Sequence, residues 1–479
     1  MKNIKIYILS FLILFVSFAC DETLDINEDP LAATSADPNA VLPFVIVQYS
    51  ARKTTELGTR TMDVPQHLSS CFNSPASGPT TSFLTGNTWG MYYTQVLGNL
   101  ELVEADAREA GETSNNVTAI AVILKALAYY ELACIWEDIP FSQAINGSEF
   151  QTPEFDTQEN VFNGVVAMLD DAMSLIDAIP AEGVFSVSTG DMIYEGDMSL
   201  WRKFANSLKI RVLMLIRNQD TSVDSQLVAA LSQPYISSNA EVAMLEYNGQ
   251  SGQENAWFQL VTAFFGPDNE STGTHVPGEI FYNILKDNAD PRYDLFIYDP
   301  DDVGPAPQGE GAGSFGAYAA LTNNVIRGDL PDIWFLPAEI TFYRAELALK
   351  GVTSDDAQEM YEMGVSQILE FWGGVVPGAV MTLSATEITD YIATLPDLSS
   401  LSNDDALTAI YEQQYLETFL RPIVAWNHIR RTKTPLVPPP PGAAISTHLK
   451  RFTYPPDEIG ANPNTPIDKD TDIAVWFEN

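Results

Sequence analysis

Cys20 ends a run built for export, and its thiol is the group that such a run presents to a lipid-transfer reaction. Lys2 and Lys5 precede an apolar stretch from Ile6 to Phe18, which stops at Ala19-Cys20 and is followed at once by Asp21 and Glu22. The stretch is too short to cross a hydrocarbon core of roughly 30 Å. Its basic start, apolar middle and small residues at Ser17 and Ala19 fit a cleavable signal instead. Residues 1–19 are therefore read as a lipoprotein signal peptide and Cys20 as the acylated N-terminus. Two membrane signals suffice for stable anchoring, so the triacylated mature chain is expected to stay tethered.

Aromatic rings set beside amides and acids are the next groups with chemistry to offer. A sugar presents an apolar C–H face and a rim of hydroxyls, so its recognition takes an exposed ring flanked by amide, carboxylate or guanidinium groups. Three places fit. Phe83 and Trp89 lie with Asn87; Trp257 and Phe258 follow Gln253, Glu254 and Asn255; Phe315 and Tyr318 precede Asn323 and Asn324. Each also has a packing explanation. Trp89 leads Tyr92, Tyr93 and Val96 at helical spacing, and Trp257-Phe258 opens an apolar run to Phe265. Trp334 and Phe335 read as core.

Catalytic patterns do not emerge. The chain has no His-Glu-x-x-His, Gly-x-Ser-x-Gly, Cys-x-x-Cys or phosphate-binding glycine loop, and no catalytic residue is assigned. His67, His275, His428 and His448 are scattered and read as satisfied surface or core residues. A glycosidase needs two carboxylates about 5 to 10 Å apart, and 64 acids leave that open. Asp299, Asp301 and Asp302, and separately Asp468, Asp470 and Asp472, offer hard oxygen ligands for a structural calcium. The second cluster lacks the turn glycine and the bidentate Glu of an EF-hand, having Ile473 and Asn479 there. No cofactor is otherwise expected. Cys71 and Cys134 read as buried free thiols, with a bridge between them the alternative.

The 64 acids against 24 bases give a formal charge of −40. That field repels phosphate backbones and excludes nucleic acid as a partner. The acids are spread along the chain, which reads as a solubilised extracellular surface. With 46% hydrophobic residues, the mature chain can bury a large core without disulfides.

Long amphipathic helices must carry these groups. The spacing predicts long helices within 89–136 and 160–217; the one that starts at 160 carries Val161, Val165, Leu169, Ala172 and Ile176 on one face and closes at Pro180. A second helix, 200–218, carries Arg202, Lys203, Lys209, Arg211 and Arg217, five bases expected to meet carboxylates of packed neighbours. Residues 339–350 and a helix capped by Ser354, with Asp355 and Asp356 in its first turn, form a hairpin. Ala345, Ala357, Tyr361 and Gly364 there match the small-residue packing of a tetratricopeptide repeat. With pairs at 89–108/118–136, 160–179/200–218 and 403–416/417–431, the fold expected is mainly α: an irregular tetratricopeptide-like helical-hairpin scaffold, about 89–218 and 338–431, with little β. Loops rich in Gly, Pro and Asn at 61–87 and within 249–331 are too long to be plain connectors and are expected to bind the ligand. The Pro438–Pro441 run reads as a stiff structural turn.

In order along the chain come Asp25-Ile26-Asn27-Glu28-Asp29-Pro30, Trp201-Arg202-Lys203-Phe204-Ala205-Asn206-Ser207-Leu208-Lys209-Ile210-Arg211, Asp290-Pro291-Arg292, Phe342-Tyr343-Arg344-Ala345-Glu346-Leu347-Ala348, Trp426-Asn427-His428-Ile429-Arg430 and Arg451-Phe452-Thr453-Tyr454-Pro455-Pro456-Asp457-Glu458 with Asn462. Together with the lipid Cys, these resemble the SusD/RagB outer-membrane lipoproteins, most closely the SusD-like 2 subgroup, over nearly the whole of 20–479. The resemblance implies a single nutrient-capturing domain with no enzymatic activity. It would sit on the outer face of the outer membrane as the lid of a SusC-like TonB-dependent transporter, its ligand an oligosaccharide or a peptide. Asp21-Glu22 resembles the surface-export signal of Bacteroidetes-type lipoproteins. The motifs carry over scaffold and partner, and the ligand is left to the loops. The rival readings are a surface glycoside hydrolase or protease on a helical scaffold, and a pure interaction module.

Overall fold

Apolar residues at helical spacing become helices through most of the chain, and the computed structural model describes residues 37–70, 78, 80–265, 275–307, 318–467 and 469–478. Cys20, Cys71, Phe315 and Asp468 lie outside these residues. In order come α1 (Pro38–Arg52), a π-helical turn (Lys53–Gly58), α2 (Ser82–Gly90), a second π-helical turn (Met91–Leu97), α3 (Gly98–Ala110), α4 (Asn115–Trp136), α5 (Gln158–Asp177), α6 (Met198–Arg217) and α7 (Asp224–Leu231). Then follow α8 (Ala256–Phe265), α9 (Glu279–Asp287), α10 (Pro337–Leu349), α11 (Ala357–Glu370), α12 (Ala385–Ile392), α13 (Asn403–Glu417) and α14 (Pro422–Thr432). The strands among the described residues form three two-stranded antiparallel pairs: β1 (Leu68–Ser70) with β3 (His275–Pro277), β2 (Ala243–Leu245) with β6 (Asp332–Phe335), and β4 (Ile297–Tyr298) with β5 (Ala320–Leu321). The fold is thus the mainly α architecture expected.

α4 is the spine. It is apolar all round, which a helix tolerates only when neighbours cover every face; all of it beyond Asn115 is buried, against α3, α5 and α14. By length and composition it could cross a bilayer, but its apolar window is 94% buried inside the protein. The free Cys134 thiol lies on it, accepting from Asn427 Nδ2 at 3.1 Å. α5 packs on α4 and on α6. Every one of the five α6 bases finds a carboxylate: Arg202 with Asp177, Lys203 with Glu241, Lys209 with Asp170, Arg211 with Glu339 and Arg217 with Asp224. Two of these acids are on α5, so the pairs stitch adjacent helices.

The α10–α11 hairpin forms as the small-residue pattern predicts. A Cβ on Gly364 would meet the Phe342 ring at 2.7 Å, so only glycine lets α11 lie this close. The cap differs from expectation. Asp356 is the N-cap, its Oδ1 accepting from Glu359 N at 3.1 Å, and Asp355 pairs with Arg344, so Ser354 lies outside the helix. Asp356 wins because its carboxylate reaches the third amide and adds charge at the positive helix end.

Several side chains of the shared motifs within the described residues are interior struts. Arg211 grips Glu339 through Nε and Nη2 at 2.6 and 2.8 Å, and Arg421 Nη1 meets the same carboxylate at 2.7 Å. Burial works to raise the Glu339 carboxyl, and the two guanidiniums outweigh it, holding it below its ordinary value. Arg431 holds Glu346 at 2.8 and 2.9 Å. Arg292 folds back on Asp290, whose other side accepts from Tyr391 OH at 2.7 Å. At the C-terminal end of α4, Phe452 N donates to Ile135 O at 2.9 Å and Trp136 Nε1 to Thr453 O at 3.0 Å, which straps residues 451–454 across the spine.

Candidate ligand-binding site

The loop-rich segments, far apart in sequence, meet in space. β1 pairs with β3 in the register Leu68↔Pro277, Ser69↔Val276 and Ser70↔His275. Gly278 N donates to His67 O at 3.0 Å, and Gly278 bridges in parallel to Ala306. A Cβ on Gly278 would fall 2.2 Å from Gln66 O, so glycine is required for that crossing. Ser69 Oγ donates to Pro307 O at 3.2 Å, Ala319 N to Gly304 O at 2.7 Å, and Asn255 N to Gly328 O at 2.7 Å. Segments from 61–87 and 249–331 are thereby knitted into one region. They are also less loop-like than expected. α2 begins at Ser82, and α8 and α9 fall inside 249–331, because residues at helical spacing such as Leu84 with Thr88, and Trp257 with Val261, bury a helical face.

On α2 the predicted residues separate. Thr81 caps the helix, its Oγ1 accepting from Leu84 N at 3.2 Å. Trp89 turns inward against Tyr93 at 4.6 Å, Trp136 at 5.0 Å and Tyr454 at 6.1 Å between ring centroids. It is half-buried, and it fixes α2 to the spine and the C-terminal strap. Phe83 and Asn87, four residues apart and so on one face, point the other way. The Phe83 ring is 61% exposed. Arg60 lies with its guanidinium carbon 5.2 Å from that ring's centroid, a cation–π contact. Glu56, on the first π-helical turn and nearly buried, is the hub: it holds Arg60 Nη1 at 2.9 Å, Arg52 Nη1 at 3.9 Å, and accepts from Asn87 Nδ2 at 3.0 Å. An exposed aromatic face is thus framed by a guanidinium, a carboxylate and an amide.

The second predicted platform is absent from the surface. Trp257 is 3% exposed, packed beside His275 at 5.1 Å between ring centroids, and lines an interior cavity of about 30 Å³ with Lys53, Met62 and Leu330. Among the described residues its indole N–H has no hydrogen-bond partner. Phe258 is half-buried. Tyr318 is half-buried too, against Val276 and Ala306 where the loops meet. Trp257 is corrected here from a platform to a packing residue: α8 turns its apolar face inward, and the indole goes with it.

Arg52, Glu56 and Arg60 were missed from sequence. Their spacing of four is a readable signal, a base, an acid and a base along one helical row, but the π-helical turn that aims the row at α2 has no sequence signature. π-turns are frequent at functional sites.

Three of the four histidines are unsuited to acid–base work. Burial pushes His67, His428 and His448 down to about 3, and His67 Nε2 is tied to Tyr415 O at 3.0 Å. Among the described residues no group of three or more His, Cys, Asp or Glu could hold a metal ion. Asp299 is taken up by Tyr282 OH at 2.6 Å and the amides of Val303 and Gly304, and Asp302 pairs with Lys286.

Residues 33–455 match the SusD-like family model described as starch-binding and associating with the outer membrane. The chain belongs to the SusD-like family. Solved structures agree on the fold of this SusD-like protein. A SusD-like protein from Bacteroidetes AC2a superposes with a TM-score of 0.80 at 20% identity, over 93% of this chain and 100% of that one. A chitin-binding SusD homologue from Flavobacterium johnsoniae gives 0.77 at 19%, over 92% and 98%, and a SusD homologue from Bacteroides uniformis gives 0.76 at 21%, over 92% and 98%. No curated protein matches the sequence.

Proposed function

We propose that this SusD-like protein is a cell-surface lipoprotein, anchored through Cys20 in the outer membrane and facing the exterior, that captures a glycan and delivers it to a SusC-like TonB-dependent transporter without cleaving it. The observation that carries the reading is the Phe83 platform, an open ring framed by Arg60, Glu56 and Asn87. Such a frame meets both halves of a sugar, its C–H face and its hydroxyl rim. The outer-membrane association and the starch-binding description of the family support it, as do neighbours described as chitin-binding. Tyr318, half-buried where the loops converge, and Phe258 and Phe315, on sequence grounds, are kept as further candidate ligand-contacting rings.

The test is a binding screen of the protein against soluble polysaccharides, their oligosaccharides and a peptide digest, with product analysis of the same mixtures. Binding without turnover, lost in Phe83→Ala, is the expected result. Turnover abolished by a single carboxylate change would establish an enzyme instead, and binding confined to the peptide digest would make this a peptide-capturing member.

A further inference from the structure

Residues 64–100 contain no Asp, Glu, Lys or Arg, in a chain that averages an acid in every seven or eight residues. This uncharged stretch carries Phe83 and Asn87. The preceding segment brings Arg60 over the ring, with Arg52 and Glu56 on the same helical row, and these charges do not cancel. Arg52 and Arg60 share the single carboxylate of Glu56, at 3.9 and 2.9 Å. The next acid along the chain, Asp63, is buried, and burial pushes its carboxyl well up, toward the uncharged form. The platform's edge is therefore left with one positive charge on a protein whose formal charge is −40.

We propose that the Phe83 site takes an anionic glycan, one bearing a carboxylate or a sulfate on its sugar rings; this rests on the reading of Phe83 as the glycan platform. Stacking alone accounts for Arg60 but not for Arg52. The Arg52 side chain is 46% exposed, does not touch the ring, and reaches Glu56 only at 3.9 Å. The Glu56 side chain is 5% exposed against 46% for Arg52 and 17% for Arg60, so the bases are more open to a ligand than the acid. A planar guanidinium offers paired donors that match a carboxylate or sulfate. A short oligosaccharide with a few charges, unlike a long polyanionic strand laid across the acidic surface, is repelled only weakly by distant acids, since charges beyond about 8 Å are screened at physiological salt, and the contact charges decide.

The test uses the full-length protein with trigalacturonate, its methyl ester and a sulfated galactan oligosaccharide as calorimetric probes. Binding of an acidic probe is expected, with the ester weaker by about tenfold, as loss of one charge-assisted hydrogen bond implies. Raising NaCl from about 50 to about 200 mM should weaken binding several-fold. Arg52→Gln, at an exposed position that the fold tolerates, should weaken the acidic probe by about five- to tenfold and leave the ester unchanged, whereas Arg60→Gln, which also removes the cation over the ring, should weaken both probes and the acidic one more. Preference between the two acidic probes identifies the anion. Equal affinity for acid and ester, both lost in Phe83→Ala, would overturn the charge proposal and leave the platform standing. Binding that survives Phe83→Ala would overturn the platform reading itself, and failure of both acidic probes to bind would overturn the proposal.

Discussion

Replacing Trp257 separates a packing role from a ligand-facing one. Its ring is 3% exposed, and truncating a buried Trp to Ala costs about 3–5 kcal/mol. Against that, the indole N–H lacks a partner among the described residues, and such a buried orphan costs roughly 1–3 kcal/mol that the substitution returns. The net loss is about 2 kcal/mol. Unfolding entropy is about 2.1 cal/mol/K per residue; over the compact unit 37–479 this gives about 0.9 kcal/mol per degree. Trp257→Ala should therefore lower Tm by about 2 °C. Trp257→Phe keeps most of the ring, sheds the orphan N–H and should stay within about 1 °C of the parent. Phe83 is 61% exposed, so Phe83→Ala should cost less than about 1 kcal/mol while reducing glycan binding by more than about tenfold. Calorimetric melting and a glycan titration on all three variants check this. If Trp257→Ala melts with the parent and loses binding, while Phe83→Ala keeps it, the two roles have been assigned the wrong way round.

Gly364→Ala would drive a Cβ to 2.7 Å from the Phe342 ring and should cost about 1–3 kcal/mol; an unchanged Tm would mean that α10 and α11 do not pack this closely. Glu346 also sets a pH dependence: burial works to raise its carboxyl, but Arg431 and Lys350 overcome that and hold it at about 2. A carboxyl depressed from an unfolded value of about 4.3 gives stability that is complete above that pH and lost as pH falls toward 2, about 3 kcal/mol in all. Glu346→Gln should therefore lower Tm most at pH 6 and progressively less toward pH 3, and a gap independent of pH would contradict the ion pair. Cys20→Ala should leave an unlipidated precursor, and globomycin-sensitive processing of that variant would refute the anchor. Changing Asp21 and Glu22 together to Ala should reduce surface labelling of intact cells, and unaltered labelling would remove them as the export signal.

What sequence reveals follows from how local its cause is. The face of α6 is written within its own twenty residues, Met198–Arg217, and the expectation that its bases meet carboxylates holds at all five positions. The hairpin around Gly364 is equally local. Its cap is a choice among three adjacent residues, Ser354, Asp355 and Asp356, and only the position of Arg344 on the neighbouring helix, which draws Asp355 away, decides it. Trp257 was unreadable for a related reason. An apolar run fixes that a helix forms but not which way the fold turns its face.

The candidate site shows the same limit from the other side. Phe83 and Asn87 could be named from composition, since an exposed ring near an amide is a local feature. The carboxylate that organises them sits 31 residues from Asn87, on a π-helical turn, and the guanidinium over the ring arrives from residue 60. Among the described residues, the shared-motif side chains Arg211, Arg292, Glu346 and Trp426 are interior struts, buried and paired away from this assembly. Struts must satisfy buried charges, and few residue types can do so. A ligand face on the surface has no such constraint, and its residues can change with the ligand while the struts hold the frame. The motifs that identify the family are for this reason silent about the ligand, and specificity has to be read from charge around one exposed ring.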